Sequence, residues 1–167
     1  MRGHGGQVWA VAWSPDGTQL ASADDQGIVK IWDVADSKEM ASFQAQAGGV
    51  RALAWSPDGK QLATASQGAL QLWEAATGKE TRTLPLAANP RLVGRLPGSR
   101  ATSLIWSPGK QQKLALADAD GQIQIWDLST GDNPLVLRAY EGPVESAAWS
   151  PDGNRLASVG GDGLVKV

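Results

Sequence analysis

The chain has 167 residues, with 15 basic and 17 acidic side chains, a formal net charge of −2 and 42% hydrophobic residues, which is the composition of one globular domain. The absence of cysteine and the single histidine exclude disulfides and thiolate chemistry and leave little for imidazole-based metal or triad sites. No apolar run of about 18 residues and no signal-peptide core are present, so we expect a cytoplasmic protein with no membrane partner.

Four copies of one motif divide the chain. Residues 13–17 read Trp-Ser-Pro-Asp-Gly, and the same letters recur at 55–59 and 149–153, with a degraded copy, Trp-Ser-Pro-Gly-Lys, at 106–110. Their first tryptophans are 42, 51 and 43 residues apart, which is the period of a repeat architecture. Of the eight tryptophans, Trp9 alone lies outside the pattern, and seven occupy repeat positions: Trp13, Trp32, Trp55, Trp73, Trp106, Trp126 and Trp149.

Each copy predicts short strands rich in β-branched, aromatic and small residues, the first two joined by a Ser-Pro-Asp-Gly turn. The first copy predicts strands at Val8–Trp13, Leu20–Ala23, Ile28–Trp32 and Met40–Gln44. The second predicts Val50–Trp55, Leu62–Ala65, Ala69–Trp73 and Thr81–Leu84. The third predicts Ala101–Trp106, Leu114–Ala117, Gln122–Trp126 and Leu135–Ala139. The fourth predicts only three strands, Val144–Trp149, Leu156–Val159 and Leu164–Val167.

Four short strands per period, with Trp-Asp closing the third strand of two copies, resemble the WD-repeat family of β-propellers. Gly3-His4 resembles the dipeptide that precedes the first strand of each blade in that family. The resemblance implies an all-β fold of four-stranded antiparallel blades, about four per chain, in one domain spanning 1–167. The repeats are placed at about 3–44, 45–84, 101–139 and 140–167.

WD-repeat blades often bury a network that joins the dipeptide histidine, a Ser or Thr on the second strand, an Asp in the next turn and the Trp. Carried over to this sequence, no copy is complete. The positions that keep the pattern are structural by resemblance: His4, Ser22 and Trp32; Thr64 and Trp73; Asp120 and Trp126; Ser158 and Asp162. The positions that depart from it are Gln26, Gln46, Gln67, Leu116 and Tyr140. We therefore expect the fold to depend mainly on tryptophan and aliphatic packing between blades.

An insertion at residues 85–100 lengthens the spacing between the second and third copies. Its basic residues are Arg91, Arg95 and Arg100. A loop of more than about 12 residues is usually functional or disordered, so both a tolerated surface insertion and a partner-contacting loop are open interpretations. Nucleic-acid binding would depend on these arginines alone, and the balanced charge elsewhere does not favour it.

The fourth copy lacks an outer strand, and four blades would leave two apolar end faces exposed. Two explanations are open. Two chains could supply eight repeats and close a two-fold symmetric ring, which would make the chain itself its main partner. Alternatively, the chain is a piece of a longer propeller. We expect the homodimeric, eight-bladed ring.

Propellers bind partners at the rim where the first strands begin, and the resemblance places four residues there: Trp9, Arg51, Thr102 and Glu145. Exposed Trp and Arg are typical interface anchors, although Trp9 could instead pack on a neighbouring blade or a second copy. The turn between the second and third strands would share the rim, through Asp24, Asp25, Ser66, Asp118 and Ala119. We interpret its acidic residues as solvated turn residues and not as metal ligands.

Motifs for catalysis or for a cofactor are missing from the sequence. It has no G-x-S-x-G elbow and no metal-spaced histidine cluster, and the glycine-rich residues 160–163 lie in a turn between strands with no helix to receive a phosphate. The sequence therefore predicts a non-catalytic scaffold without cofactors that binds proteins or peptides and self-associates. The alternative is a purely structural, self-assembling fragment with no other ligand.

Overall fold

The computed structural model describes residues 1–45, 48–66, 68–87, 101–131 and 133–167, and its strands form four antiparallel sheets, here called blades 1 to 4. Blade 1 comprises β1 (Val8–Trp13), β2 (Gln19–Asp24), β3 (Ile28–Asp33) and β4 (Lys38–Gln44). Blade 2 comprises β5 (Ala52–Trp55), β6 (Gln61–Ser66), β7 (Ala69–Glu74) and β8 (Lys79–Pro85). Blade 3 comprises β9 (Ala101–Trp106), β10 (Lys113–Asp118), β11 (Gln122–Asp127) and β12 (Leu135–Arg138). Blade 4 comprises β13 (Val144–Trp149), β14 (Leu156–Gly160) and β15 (Val165–Lys166).

The strands of every blade are hydrogen-bonded in the order in which they occur in the sequence. The predicted all-β fold of four-stranded antiparallel blades is therefore confirmed, including the three-stranded fourth blade. Most boundaries agree within two residues. The fifth strand begins at Ala52 and not at Val50, because Val50 donates its N–H to the carbonyl of Asp24 in blade 1 at 3.1 Å.

The Ser-Pro-Asp-Gly turn is held by its own side chains. In blade 1 the Ser14 hydroxyl donates to Asp16 Oδ1 at 2.6 Å, and the N–H of Thr18 donates to the same oxygen at 3.0 Å. Gly17 takes φ +72°, a left-handed conformation that favours glycine. The hydrogen bond from Ser14 and those from Thr18 hold the pKa of Asp16 below its usual value of 3.8.

The core lies between successive blades as three apolar clusters. A first-strand tryptophan crosses each seam between blades. Trp55 Nε1 donates to the carbonyl of Ala12 at 3.1 Å, and the same bond recurs from Trp106 to Ala54 at 3.3 Å. It recurs again from Trp149 to Ile105 at 3.4 Å. Each acceptor directly precedes the first-strand tryptophan of the preceding blade, so one packing geometry is used three times.

The first-strand tryptophan of blade 1 lies at the end of this series. Trp13 is 58% exposed, whereas Trp55 is 8% exposed, because no sheet of the described residues packs on the outer side of blade 1. Val11, on the same strand, is 62% exposed. In the part of the chain that the structure describes, no helix is long and apolar enough to span a bilayer.

Candidate partner-binding surface

Three of the four residues predicted for the rim lie at β-bulges. In β1 the cross-strand register shifts between Val8 and Ala10, so Trp9 is the extra residue. The equivalent shifts make Thr102 the extra residue of β9 and Glu145 that of β13. A bulge turns a side chain away from the regular pleat and is common at rims and beside binding sites. The same kind of β-bulge therefore occurs at the equivalent residue of three blades.

Arg51, the fourth predicted rim residue, directly precedes β5 and stacks on Trp9. Its guanidinium carbon lies 3.6 Å from the centre of the indole ring, a cation–π contact worth about 0.5–1 kcal/mol at an exposed site. Arg51 is exposed and Trp9 is half-buried. The pair spans blades 1 and 2, so Trp9 contacts the neighbouring blade while part of its surface remains accessible.

Gly49 leaves the space that the Trp9 ring occupies. The residue has φ +77°, and a Cβ built there would lie 2.5 Å from Trp9 Cζ3 and 2.8 Å from the carbonyl oxygen of Asp25. Neither the conformation nor the space suits a larger residue. This glycine is a feature that sequence reasoning missed, although the Gly-Gly pair at 48–49 signals a tight approach of the chain.

Thr102 and Glu145 are both exposed and belong to blades 3 and 4. The Thr102 hydroxyl donates to the carbonyl of Val144 at 2.6 Å, which links the two blades at the rim. The structure thus brings Trp9 and Arg51 into direct contact at one seam, and it connects Thr102 to the strand that carries Glu145 at another.

A buried polar network lies beneath the rim in blade 1. Trp32 Nε1 donates to Ser22 Oγ at 2.8 Å, and that oxygen lies 2.6 Å from His4 Nε2. His4 Nδ1 lies 2.8 Å from Asp24 Oδ2. Because a carboxylate only accepts, His4 donates its Nδ1–H to Asp24 and its other ring nitrogen contacts the serine hydroxyl.

The expectation that no copy completes this network was wrong for blade 1. The aspartate is Asp24, the last residue of β2, and not the residue at the position of Gln26. Its side chain is fully buried, which also corrects its interpretation as a solvated turn residue. Asp24 Oδ1 accepts the N–H groups of Gln26 and Ile28 at 3.1 and 2.8 Å.

The environment of Asp24 sets its charge. Burial raises the pKa of Asp24, but the hydrogen bonds from His4, Ile28 and Gln26 lower it by more, so the pKa is below 3.8. The carboxylate is therefore ionised at neutral pH and serves as the acceptor for three donors. The hydrogen bonds from His4, Gln26 and Ile28 thus compensate for the burial of this acid.

Blade 3 has an aspartate at the position equivalent to Asp24. Asp118 is 7% exposed, and its Oδ1 accepts the N–H groups of Asp120 and Gln122 at 2.9 and 3.0 Å. Asp118 therefore matches Asp24, and the assignment of that position to Asp120 is corrected. An aspartate three residues before a turn glycine, as in blade 1, was the available signal.

In blade 4, Gly160 stands where blade 1 has Asp24, since Gly160 pairs with Val144 as Asp24 pairs with Val8. Asp162 is exposed, and its Oδ1 accepts the N–H of Leu164 at 3.0 Å, so its carboxylate supports the local turn. Tyr140 replaces the histidine and donates its hydroxyl to the carbonyl of Ser158 at 2.7 Å.

Blade 2 retains one bond of the network, from Trp73 Nε1 to Thr64 Oγ1 at 2.9 Å. Gln46 and Gln67, which the sequence places at the histidine and aspartate positions, lie outside the described residues. Ser66 is buried and matches Asp24 in position, which corrects its placement on the exposed rim.

The start of the predicted insertion is anchored to blade 3. The buried side chain of Gln124 accepts the N–H of Ala87 at 2.8 Å and donates to the carbonyl of Ala87 at 3.0 Å. Arg91, Arg95 and Arg100 lie outside the described residues. Among the residues that the structure does describe, no group of three or more His, Cys, Asp or Glu side chains is placed to hold a metal ion.

The family model described as "WD domain, G-beta repeat" matches residues 1–33, 37–74 and 131–167, which together make up more than half of the chain. The chain belongs to the WD-repeat family. The matches exclude most of blade 3, the copy whose turn and network depart furthest from the pattern. WD-repeat proteins act as protein-interaction scaffolds and are generally non-catalytic.

Relatives of known identity cover nearly the whole chain. The chain is 30% identical over 174 residues to WD repeat-containing protein slp1 of Schizosaccharomyces pombe, covering 99% of this chain and 33% of that protein. It is 28% identical over 205 residues to WD repeat-containing protein 1 of Gallus gallus, covering 98% of this chain and 34% of that protein. The WD-repeat chain thus spans about a third of the length of these curated relatives.

A solved structure shares the propeller fold. The crystal structure of the mitotic checkpoint complex contains a chain that superposes with a TM-score of 0.80 and 31% sequence identity. The superposition covers 99% of this chain and 50% of that one. The four blades described above are therefore arranged as consecutive blades of a β-propeller.

Proposed function

We propose that this WD-repeat chain is a non-catalytic scaffold that binds protein or peptide partners at the rim formed by Trp9, Arg51, Thr102 and Glu145. The observation that carries the proposal is the stacked pair of Trp9 and Arg51, held at the seam of two blades. Trp and Arg contribute most of the binding energy at many protein interfaces. Family membership supports the general role.

The rim suits binding because its side chains are ordered before a partner arrives. Trp9 is confined by Gly49, and Arg51 is confined by Trp9, so little conformational entropy remains to be lost on association. Arg51 is exposed and its guanidinium is cationic, which favours a partner that presents a carboxylate or backbone carbonyls.

Peptide selection tests the rim. A phage-displayed random peptide library is selected on the immobilised chain, and the peptides obtained are synthesised and titrated against wild type, Arg51→Ala and the control Lys79→Ala. Lys79 is an exposed cation on β8 of blade 2, so the control makes the same charge change. We expect Arg51→Ala to weaken binding by about tenfold or more and Lys79→Ala to leave it unchanged. Equal binding by both variants would refute the rim.

We further propose that two copies associate head to tail and close an eight-bladed ring. The tryptophan-to-carbonyl bond that joins successive blades occurs three times within the chain. One donor of this kind in blade 1 and one acceptor of this kind in blade 4 are left over, at opposite ends of the row of blades. Trp13 supplies the exposed indole at one end, and the carbonyl of Ala148, which directly precedes Trp149, is the equivalent acceptor at the other. A second copy would bury the exposed apolar faces of β1 and β14.

The mass of the chain in solution tests this association. Light scattering over a dilution series should give twice 17.5 kDa for wild type and 17.5 kDa for Trp13→Glu. Met40→Glu is the control, because Met40 is 55% exposed on the outer strand β4 and lies away from the seam. A wild-type chain that is monomeric at every concentration would refute the ring and leave the rim proposal standing.

A further inference from the structure

A groove of about 540 Å³ lies between blades 2 and 3, at the edge of the blades that carries the Ser-Pro turns. Its apolar lining residues, here called the apolar floor, are Leu72, Trp106 and Leu128, and its basic lining residues are Lys60, Arg82 and Lys110. We call it the basic groove. It lies at the end of the first strands that carries the tryptophans, whereas the bulged rim residues lie at the opposite end of the same strands.

The turns on either side of the other two seams contact each other. Between blades 1 and 2, a Cβ built on Gly59 would lie 3.5 Å from Pro15 Cγ. Between blades 3 and 4, Gln111 Nε2 donates to the carbonyl of Asp152 at 2.9 Å and to Asn154 Oδ1 at 3.1 Å. These contacts narrow both seams at the edge where the basic groove opens.

The degraded turn of blade 3 changes the charge of the groove. Gly109 replaces the aspartate of the pattern, and a Cβ built on it meets nothing within 4 Å. The loss of that aspartate removes a carboxylate from the lining of the groove. The charge of this seam therefore follows in part from the departure of the third copy from the repeat.

One of the three cations, Arg82, has no cationic equivalent in blades 1 and 3. The outer-strand residues that pair with Ile31, Leu72 and Ile125 are Ala41, Arg82 and Leu135, respectively. Blade 2 alone of these three has a cation there. Arg82 Nη1 donates to the carbonyl of Leu128 at 3.1 Å, which fixes the guanidinium across the seam.

The acidic side chain in the lining is already engaged. Asp58 Oδ1 accepts hydrogen bonds from the hydroxyl of Ser56 at 2.6 Å and from the N–H of Lys60 at 3.1 Å. The Ser56 hydrogen bond is the main cause that lowers the pKa of Asp58, and Lys60 lowers it further. The lining therefore contains one carboxylate and three cations, which gives it a net positive charge beside the apolar floor.

We infer that the basic groove binds a short acidic segment of a partner protein, with its carboxylates toward the three cations and an apolar side chain on the floor. A groove with only cations would suit any small anion, whereas the half-buried side chains of Trp106 and Leu128 favour a ligand that also carries an apolar group. This second surface is independent of the rim.

A labelled peptide tests the basic groove. The probe is a fluorescein-labelled decapeptide of sequence Gly-Ser-Glu-Asp-Leu-Phe-Glu-Asp-Ser-Gly, followed by fluorescence anisotropy at 50 and 300 mM salt. Its matched controls replace every Glu and Asp with Gln and Asn, or Leu-Phe with Ser-Ser. We expect saturable binding by the acidic peptide, about tenfold weaker at the higher salt, and binding at least about tenfold weaker for both control peptides.

Variants assign the binding to the groove. Lys60→Glu/Lys110→Glu reverses two exposed charges of the lining, and Lys38→Glu/Arg155→Glu makes the same charge change at exposed positions in blades 1 and 4. We expect the first pair to weaken the acidic peptide at least about tenfold and the second pair to leave it within about twofold.

The inference would be overturned by no saturable binding up to about 1 mM peptide, by equal binding of either control peptide, or by an equal loss in both double variants. Displacement of the peptide by equimolar oligothymidylate would also overturn it, because it would indicate a nucleic-acid site. Arg51→Ala separates the two surfaces: unchanged peptide binding supports the groove, whereas lost binding would place the peptide at the rim and refute the groove.

Discussion

Blades 1 and 3 have the same strand order, but they fill the equivalent interior in different ways. Blade 1 uses a four-residue polar network in which Trp32 donates to Ser22 and His4 bridges Ser22 and Asp24. In blade 3, Leu116 occupies the position of Ser22. Trp126 Nε1 is buried and has no hydrogen-bond partner among the described residues.

The difference shows that the blade needs the volume of the tryptophan more than its hydrogen bond. Trp126 is 0% exposed and packs in one apolar cluster with Leu114 and Leu116, so dispersion and burial stabilise it where the polar chain is missing. An unpaired buried N–H costs about 1–3 kcal/mol. The polar network is thus sensitive to the loss of any one member, whereas the apolar version has no such dependence.

The largest effect is expected when the network of blade 1 is opened at its acid. Asp24→Ala removes the acceptor of three donors, the N–H groups of Gln26 and Ile28 and the His4 Nδ1–H, so we expect a loss of about 3 kcal/mol in the free energy of unfolding, measured by urea denaturation. The control Asp36→Ala, at an exposed turn, should change it by less than about 0.5 kcal/mol. Similar values for both variants would contradict a structural network.

A smaller difference is expected between two turn glycines. Gly49→Ala places a Cβ against the Trp9 ring and the Asp25 carbonyl at φ +77°, whereas Gly109→Ala in blade 3 meets open space at φ +72°. The left-handed backbone alone costs about 1–2 kcal/mol, so we expect that loss for Gly109→Ala and a greater one for Gly49→Ala. Thermal unfolding of both variants shows which one loses more stability. A greater loss in Gly109→Ala than in Gly49→Ala would show that Gly49 does not confine Trp9.

The two blade tryptophans give a direct test of the comparison. Trp32→Phe removes a bonded N–H and leaves Ser22 Oγ without its donor, whereas Trp126→Phe removes a buried N–H that has no described partner. Both changes lose similar ring volume. We expect Trp32→Phe to cost about 1 kcal/mol more than Trp126→Phe in urea denaturation. Equal costs would mean that the network adds nothing beyond packing.

The smallest effect is expected in the stability at acidic pH. The folded pKa of Asp16 and of Asp58 is lower than the ordinary 3.8, chiefly because of the hydrogen bonds from Ser14 and Ser56. These turns therefore add stability that is fully present above about pH 3.8 and is lost as the pH falls through the lowered folded pKa. The turn of blade 3 has Gly109 instead and adds none.

Paired denaturation curves check this pH dependence. The fall in the urea midpoint between pH 7 and pH 2.5 should be smaller in Asp16→Asn/Asp58→Asn than in wild type, because the asparagines do not titrate. The control Asp36→Asn should retain the wild-type fall. An identical fall in all three proteins would show that the turn carboxylates do not contribute.

Much of the fold was predictable from local signals. The Ser-Pro-Asp-Gly turn requires a hydroxyl, a carboxylate and a left-handed residue at fixed positions, and those letters recur with the strands they join. The network aspartate was misplaced because Asp24, Gln26 and the residues beside them all suit a turn by composition. Its identity depends on which side chain reaches His4, and His4 is 20 residues away in the sequence.

The sequence by itself determined the period, the four-stranded blades and the absence of thiol chemistry, because these follow from residue types at short spacing. Only the tertiary structure decided that Trp9 and Arg51 stack, that Asp24 and Asp118 are buried, and that a basic groove opens beside Gly109. Each of these depends on contacts between segments distant in sequence, where packing of one blade on the next sets exposure and charge.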